Sequence, residues 1–179
     1  NSLAVLAVLG VMISASAWIS LRTIKVQRRR LLPKALGAIF IGGGITLVLI
    51  TQGVLELSPW FCPRYIIPLA GMIFANAMNS VSLAAERLMA DVKRETNYEK
   101  ARGIALRASL IPITNTLFAV GLVSLPGMMT GQILSGISPL TAVRYQIMVM
   151  CMVYSSAGIS AACFLKLVKS DIFTDVKSL

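Results

Sequence analysis

The chain has 179 residues, of which 56% are hydrophobic and only 13% are charged, with 17 Lys and Arg, 7 Asp and Glu, and no His. Soluble domains contain about 25% charged residues, so this composition excludes an ordinary water-soluble protein and indicates a membrane protein. The absence of His excludes Ser-His-Asp and HExxH sites, and no G-x-x-x-x-G-K-[ST] motif is present to bind a nucleotide. We therefore expect a non-enzymatic chain that binds no cofactor, and any ATP with its Mg²⁺ would be used by a partner.

Five long stretches without a charged residue divide the sequence: Asn1–Leu21, Ala35–Leu55, Tyr65–Ala85, Ala108–Val143 and Tyr145–Leu165. A hydrocarbon core of about 30 Å needs about 20 apolar helical residues, so each stretch is long enough to cross a bilayer. The sequence predicts an all-α integral membrane protein, a polytopic helical bundle with five transmembrane spans. Residues 1–179 form a single transmembrane domain in this interpretation.

The basic residues indicate the orientation of the bundle. Fifteen of the 17 lie in the segments 22–34, 86–107 and 166–179, which are alternate connections between the predicted spans. The positive-inside rule places these segments in the cytoplasm and the loops 56–64 and 131–139 outside. We therefore attribute the net charge of +10 to the cytoplasmic segments of a protein in a lipid bilayer, the bacterial inner or plasma membrane, and not to nucleic-acid binding.

The third span carries polar residues within its apolar sequence. Asn76, Asn79 and Ser80 are spaced i, i+3 and i+4, so they share one helix face, and Glu86 lies two turns further along the same side. Unpaired amides are costly in lipid, so this face is predicted to look into the bundle or across a subunit interface.

The fourth stretch, Ala108–Val143, has 36 residues and would reach ~54 Å as one straight helix, so it must break. We predict the break at Pro126-Gly127, where a residue without an N–H donor precedes a flexible one. Irregular backbone at membrane depth is tolerated where it is buried in protein or lines a cavity. The break is therefore either part of a translocation path or the end of a span at the outer surface.

We predict that the polar face of the third span meets this break, because freed backbone groups and buried amides can satisfy one another. The candidate substrate path comprises Asn76, Asn79, Ser80, Pro126, Gly127, Met128, Met129, Thr130 and Gln132. Arg144, Tyr145 and Gln146 are expected to brace the break at the start of the fifth span.

Two strings of this sequence resemble a known family. They are Arg64-Tyr-Ile-Ile-Pro-Leu-Ala-Gly-Met-Ile-Phe-Ala-Asn-Ala-Met-Asn79 and Gly121-Leu-Val-Ser-Leu-Pro-Gly-Met-Met-Thr-Gly-Gln-Ile-Leu134, the latter continued by Ser138-Pro-Leu-Thr-Ala-Val-Arg-Tyr-Gln-Ile147. Both resemble the FetB-type permeases, a family of iron-export ABC transporter membrane subunits and plant aluminium-tolerance half-transporters. The resemblance covers roughly residues 33–165.

The resemblance implies a permease that works with a separate ABC ATP-binding subunit, as a homodimer of two membrane chains with two ATPases. It implies export of metal ions such as iron, although the bundle offers few of the ligands that Fe(II) prefers, so a small polar solute is the other expectation. The segment Ile104–Pro112 resembles the end of a cytoplasmic coupling motif. Coupling to the ATPase is expected through Glu86, Arg87, Arg102 and Arg107.

The chain departs from this family in two respects. Members have about two more N-terminal spans, and this chain starts on the outer side without Met, so we expect further spans before it. Members also place a short helix with a Leu-Gly-Ala-Thr type sequence before the Ile-x-Leu-Arg segment, and none stands between Glu86 and Ile104. The chain either docks differently or, as we expect, lacks part of the loop at 90–98.

A second class of function fits the same composition. The chain could be a non-transporting scaffold or regulatory subunit that anchors a partner ATPase in the membrane. Such a scaffold needs no polar face within the bilayer, so Asn76, Asn79 and Ser80 favour the transporter.

Overall fold

The computed structural model of the protein describes residues 2–24, 28–59, 62–92 and 97–176, with the backbone alone for residues 171–176. Within these residues the chain forms the helices α1 (Ser2–Ser20), α2 (Arg28–Val48), α3 (Pro63–Val92), α4 (Tyr98–Ala119), α5 (Gly127–Leu134) and α6 (Pro139–Val176). A π-helical segment, Leu49–Val54, extends α2. The all-α prediction is confirmed for the described part of the chain.

The helices form one bundle with α3 and α6 at its centre. α6 packs against α2, α3 and α4, whereas α1 packs on the opposite side, against α2 and α3. α2 and α6 are antiparallel, because Gly42 meets Ser160 while Lys34 Nζ, nearer the start of α2, donates to Ser170 Oγ at 3.1 Å. Apolar residues from α1, α2, α3, α4 and α6 share the core.

Among the described residues, four helical segments are long and apolar enough to cross a membrane: Ser2–Ser20, Arg28–Val54, Pro63–Val92 and Pro139–Ser170. Helix α4 is not among them, because Glu99, Lys100, Arg102 and Arg107 occupy its first half. Its 22 residues nevertheless extend ~33 Å, and it packs along α3 and α6. The fifth span therefore stays a prediction.

The long apolar stretch after α4 is interrupted, but the helix ends earlier than Pro126-Gly127. Helix α4 stops at Ala119, and Gly121 takes a φ of +83°, a left-handed conformation that glycine adopts without steric cost. Gly121 N donates to the Ser124 carbonyl at 3.0 Å and closes a tight turn. Pro126 then precedes α5, so the interruption covers Val120–Pro126, with its turn at Gly121.

Glycines in α2 allow two neighbouring helices to approach closely. A Cβ atom at Gly42 would lie 2.3 Å from Ser160 Oγ and 2.7 Å from Ser160 N, and one at Gly43 would lie 2.6 Å from the Phe74 ring. Gly44 has nothing within 4 Å of such an atom. The first two glycines are thus contact points between α2 and its neighbours α6 and α3, as is common in membrane bundles.

Candidate translocation and coupling sites

The polar face of α3 is satisfied within the chain at two of its three positions. Asn76 is half-buried, and its Nδ2 donates to the Met72 carbonyl of its own helix at 2.8 Å. Ser80 is buried, and its Oγ donates to the Ser109 carbonyl of α4 at 3.4 Å, a long hydrogen bond. The Asn76 side chain therefore stabilises its own helix, and the Ser80 side chain joins α3 to α4.

Asn79 differs from its two neighbours on this face. Its side chain is exposed on the surface of the bundle and makes no hydrogen bond with any of the described residues. It lies between two other exposed residues of α3, Ala75 and Leu83, one turn away on either side. We call Ala75, Asn79 and Leu83 the α3 stripe. Since an unpaired amide is costly in lipid, the α3 stripe needs a polar partner beyond the residues that the structure describes.

The neighbouring helix α4 presents a second exposed amide. Asn115 is exposed and likewise makes no hydrogen bond with the described residues. It lies within the predicted fourth span, one turn from Ile111, which is also exposed. Two adjacent helices, α3 and α4, thus each present an exposed amide that has no hydrogen-bond partner among the described residues.

Helix α5 does not meet the polar face of α3, which corrects the predicted juxtaposition of Asn76 and Asn79 with Pro126–Gln132. Helix α5 packs against α6, and α3 and α5 share no extensive interface in the described part of the chain. Asn76 also lies 13 residues into α3, ~20 Å from its start. The physical reason is that α4 starts beside Leu165, near the end of α6, and runs toward the start of α6, where the following α5 packs.

The predicted residues of the break form a small packed unit of their own. Met129 is buried, Met128 packs on the hydrophobic core, and Gly127 is exposed. Thr130 Oγ1 donates to the Pro126 carbonyl at 3.2 Å and so stabilises the first turn of α5. Gln132 Oε1 is buried and has no hydrogen-bond donor among the described residues. The geometry does not join this unit to the α3 stripe, so its part in a substrate path stays a prediction.

At the start of α6, the three residues expected to brace the break have different surroundings. Arg144 is exposed, Tyr145 packs on the core, and Gln146 is 4% exposed. Helix α5 packs on α6, but the contribution of each side chain stays a prediction.

At the opposite end of the bundle, polar contacts connect the beginning of α4 to the end of α6. Glu99 Oε1 accepts a hydrogen bond from Lys169 Nζ at 2.7 Å, and Glu99 Oε2 lies 3.0 Å from Arg102 Nη1. Tyr98 Oη donates to the Leu165 carbonyl, and Lys169 Nζ lies 5.9 Å from the centre of the Tyr98 ring. We call Tyr98, Glu99, Arg102 and Lys169 the α4–α6 clasp. It holds α4 to α6 immediately after the connection from α3.

Of the four residues expected to couple to an ATPase, one belongs to the clasp. Arg102 pairs with Glu99, whereas Arg87 Nε pairs with Asp91 Oδ2 of its own helix at 2.8 Å. Glu86 and Arg107 are exposed. Residues 93–96, part of the predicted gap at 90–98, lie outside the described residues.

Nothing in the sequence alone marked Tyr98, Glu99 and Lys169 as members of this region. Asn97 gave the one signal nearby, because asparagine is a favoured N-cap residue and marks the start of α4. Its side chain accepts a hydrogen bond from Glu99 N at 3.0 Å. The pairing with Lys169 had no such signal, since the two residues are 70 positions apart.

The clasp changes the ionisation of its members. The hydrogen bond from Lys169 and the positive charge of Arg102 lower the pKa of Glu99 below its ordinary value. Burial raises the pKa of Tyr98 to about 12, so the phenol keeps its proton and remains a donor at physiological pH.

We expect Glu99→Gln to remove an acid-dependent part of the stability. Because the folded state lowers the pKa of Glu99, its contribution is complete above the unfolded pKa of 4.5 and is lost as the pH falls through the lower folded-state pKa. Thermal unfolding in detergent between pH 3 and 7 measures this. Glu86→Gln is the matched control, because Glu86 is exposed and unpaired with the described residues. Equal pH profiles for the two variants would contradict a stabilising clasp.

A sequence model of the family described as "Uncharacterised protein family (UPF0014)" matches this chain over residues 1–102 and 94–173. The chain belongs to the UPF0014 family. Together with the candidate spans, membership identifies an integral membrane protein, and the resemblance to FetB-type proteins seen in the sequence is confirmed.

Several UPF0014 relatives are similar to this chain. It is 41% identical to the UPF0014 membrane protein slr1647 of Synechocystis over 172 residues, which cover 86% of this chain and 65% of the relative. It is 43% identical to the probable iron export permease protein FetB of Escherichia coli, covering 72% of this chain and 55% of FetB. It is 35% identical to the protein ALUMINUM SENSITIVE 3 of Arabidopsis thaliana, covering 86% of this chain and 62% of that protein. The chain spans less than two thirds of the length of these relatives. No solved structure matches it.

Proposed function

We propose that this chain belongs to the membrane permease subunit of an ABC transporter, which exports metal ions such as iron, or a small polar solute, with ATP hydrolysed by a separate subunit. The observation that carries the proposal is the exposed, unpartnered amide of Asn79 within a candidate membrane span. Such an amide requires a polar surface within the bilayer, which a transport path or a permease dimer provides. The similarity to the protein named as the iron export permease FetB supports the same class.

The proposed assembly is a homodimer of permease chains with two ATP-binding subunits. The α3 stripe and the exposed face of α4 around Asn115 are the surfaces we assign to the second permease chain, because amides from two subunits can satisfy one another at such an interface. A path between two chains would also explain why α3 and α5 share no extensive interface in the described part of this chain.

The proposed coupling runs through the connection between α3 and α4 and then through the clasp. Movement of this connection by a partner ATPase would pull on Tyr98 and Glu99, whose contacts with Leu165 and Lys169 pass the movement to α6. Because α6 lies at the centre of the bundle, its displacement would alter the helices that surround a substrate. Coupling of this kind requires two states with different affinity for the substrate.

We further propose that the coupling region of this chain is shorter than that of its relatives. The two matched family segments overlap at 94–102, inside this region. The alignment with FetB extends over 146 positions but includes 72% of this chain, about 129 residues, so about 17 positions of FetB have no counterpart. A short coupling helix of that size is what the sequence between Glu86 and Ile104 lacks.

A scaffold that anchors an ATPase without transport is the second candidate function. The clasp would serve it equally well, since anchoring needs only a stable cytoplasmic end. The exposed amide of Asn79 favours the transporter, because an unpaired amide is costly in lipid and a scaffold has no use for one.

The proposal is tested with the protein reconstituted in vesicles together with its ATP-binding subunit. We expect ATP hydrolysis to rise on addition of the transported substrate, which a panel of metal ions and nucleotide sugars would identify. A subunit that binds the ATPase but leaves hydrolysis unchanged with every compound, and moves none of them, would support the scaffold.

The orientation is a separate prediction. Single cysteines placed at Arg29 and Ser58, in a variant that lacks the native cysteines, should be labelled from opposite sides of the membrane, the first from the cytoplasm. The reason is the basic content of 22–34, 86–107 and 166–179. Labelling of both positions by the same impermeant reagent in intact cells would show that the orientation is wrong.

A further inference from the structure

A groove with one cationic end runs along the junction of α2 and α6. Its volume is about 690 Å³, and its lining residues are Ile41, Cys163, Lys166, Leu167, Lys169 and Ser170. The apolar members Ile41 and Leu167 are both exposed, so this part of the groove is open toward the surroundings of the bundle. The lysines lie toward the end of α6, one turn or more beyond Cys163.

The cationic end contains one lysine without an anion. Lys169 is paired with Glu99, and Lys34, which donates to Ser170, joins the same cluster from α2. Lys166 is exposed and makes no ion pair or hydrogen bond with the described residues. Among the described side chains of the groove, Lys166 is therefore the lysine that is available to an anionic ligand.

The level of Lys166 in a membrane follows from the sequence of α6. It directly follows the charge-free stretch Tyr145–Leu165, whose 21 residues extend ~32 Å as a helix, about the thickness of the hydrocarbon core. Lys166 thus lies where hydrocarbon gives way to headgroups. Long basic side chains at such positions extend toward the headgroup region.

We propose that this groove binds an anionic phospholipid of the adjoining leaflet. One acyl chain would pack against Ile41 and Leu167, and the headgroup phosphate would bind Lys166, with Lys34 nearby. Charge complementarity selects an anionic lipid over a zwitterionic one, because a basic residue near an anionic membrane surface contributes about 1 kcal/mol. A bound lipid at this junction would stabilise the packing of α2 on α6, the helix that carries Lys169 of the α4–α6 clasp.

The experiment measures the binding of phosphatidylglycerol to the purified protein by native mass spectrometry, with phosphatidylcholine for comparison. We expect the anionic lipid to bind more tightly and Lys166→Gln to weaken its binding about fivefold, the equivalent of about 1 kcal/mol. Arg64→Gln is the matched control, because it removes one exposed positive charge from the opposite end of the bundle and should leave binding unchanged.

A second variant separates a lipid from a free phosphate. Leu167→Ser should also weaken phosphatidylglycerol binding, because it removes apolar contact with the acyl chain while leaving the lysines in place. Inorganic phosphate that competes with the lipid at low millimolar concentration, together with no effect of Leu167→Ser, would overturn a lipid site. Equal binding of phosphatidylglycerol by the unmodified protein and by Lys166→Gln would overturn the site altogether.

Discussion

Replacing Asn79 by leucine is expected to slow transport about tenfold while leaving the protein inserted and folded. Leucine is favoured at the centre of a membrane helix, so insertion should not suffer. The amide of Asn79 has no partner among the described residues, and we propose that it acts at a second subunit or on the substrate. Losing one interhelical amide contact of about 1–2 kcal/mol corresponds to a loss of about tenfold in rate if the contact acts at the limiting step.

Two further variants make this result specific to the exposed amide. Asn76→Leu should have a smaller effect on transport, since the Asn76 side chain donates to the Met72 carbonyl of its own helix. Asn79→Gln keeps the amide and should retain part of the activity. Measured export that is normal in Asn79→Leu, or lost only in Asn76→Leu, would show that the α3 stripe is not the functional surface.

Replacing Gly42 by alanine is expected to destabilise the bundle strongly. The added methyl would lie 2.3 Å from Ser160 Oγ and 2.7 Å from Ser160 N, and the backbone nitrogen cannot rotate away. Overpacking of this kind costs about 1–3 kcal/mol. Alanine is intrinsically favoured over glycine in a helix by about 0.5–1 kcal/mol, which offsets only part of that cost.

Gly44→Ala is the matched control for this variant. Position 44 has open space around it, so the same substitution there should be neutral or slightly stabilising. Thermal unfolding in detergent, followed by loss of the monodisperse protein peak, compares the two. The close approach of α2 to α6 would be refuted if Gly42→Ala and Gly44→Ala unfolded at the same temperature.

Much of the fold could be predicted from the sequence because charge and hydropathy follow directly from bilayer physics. The charge-free stretches containing α1, α2, α3 and α6 correspond to the four segments suited to cross a membrane. The interruption before α5 was also expected, but its start directly after Ala119 was not. Proline was taken as the breaker, whereas Gly121 adopts the left-handed conformation that turns the chain.

The candidate sites were less predictable, because they depend on contacts between distant residues. Helical spacing correctly placed Asn76, Asn79 and Ser80 on one side of α3, yet only packing shows that Ser80 reaches α4 while Asn79 remains exposed. The pairing of Glu99 with Lys169 likewise depends on how α4 leans against α6. The expected meeting of α3 with α5 was wrong, since it assumed that two polar elements of one chain must satisfy each other.

ATP-dependent movement of a metal ion across a sealed membrane tests the central claim most directly. Inverted vesicles containing the protein and its ATP-binding subunit should accumulate ferrous iron, or another ion or solute of the panel, when ATP is supplied. The accumulation should require hydrolysable ATP and should be about tenfold slower with Asn79→Leu. Vesicles that hydrolyse ATP but accumulate none of the panel, with the unmodified protein and Asn79→Leu behaving alike, would contradict a transport function for this chain.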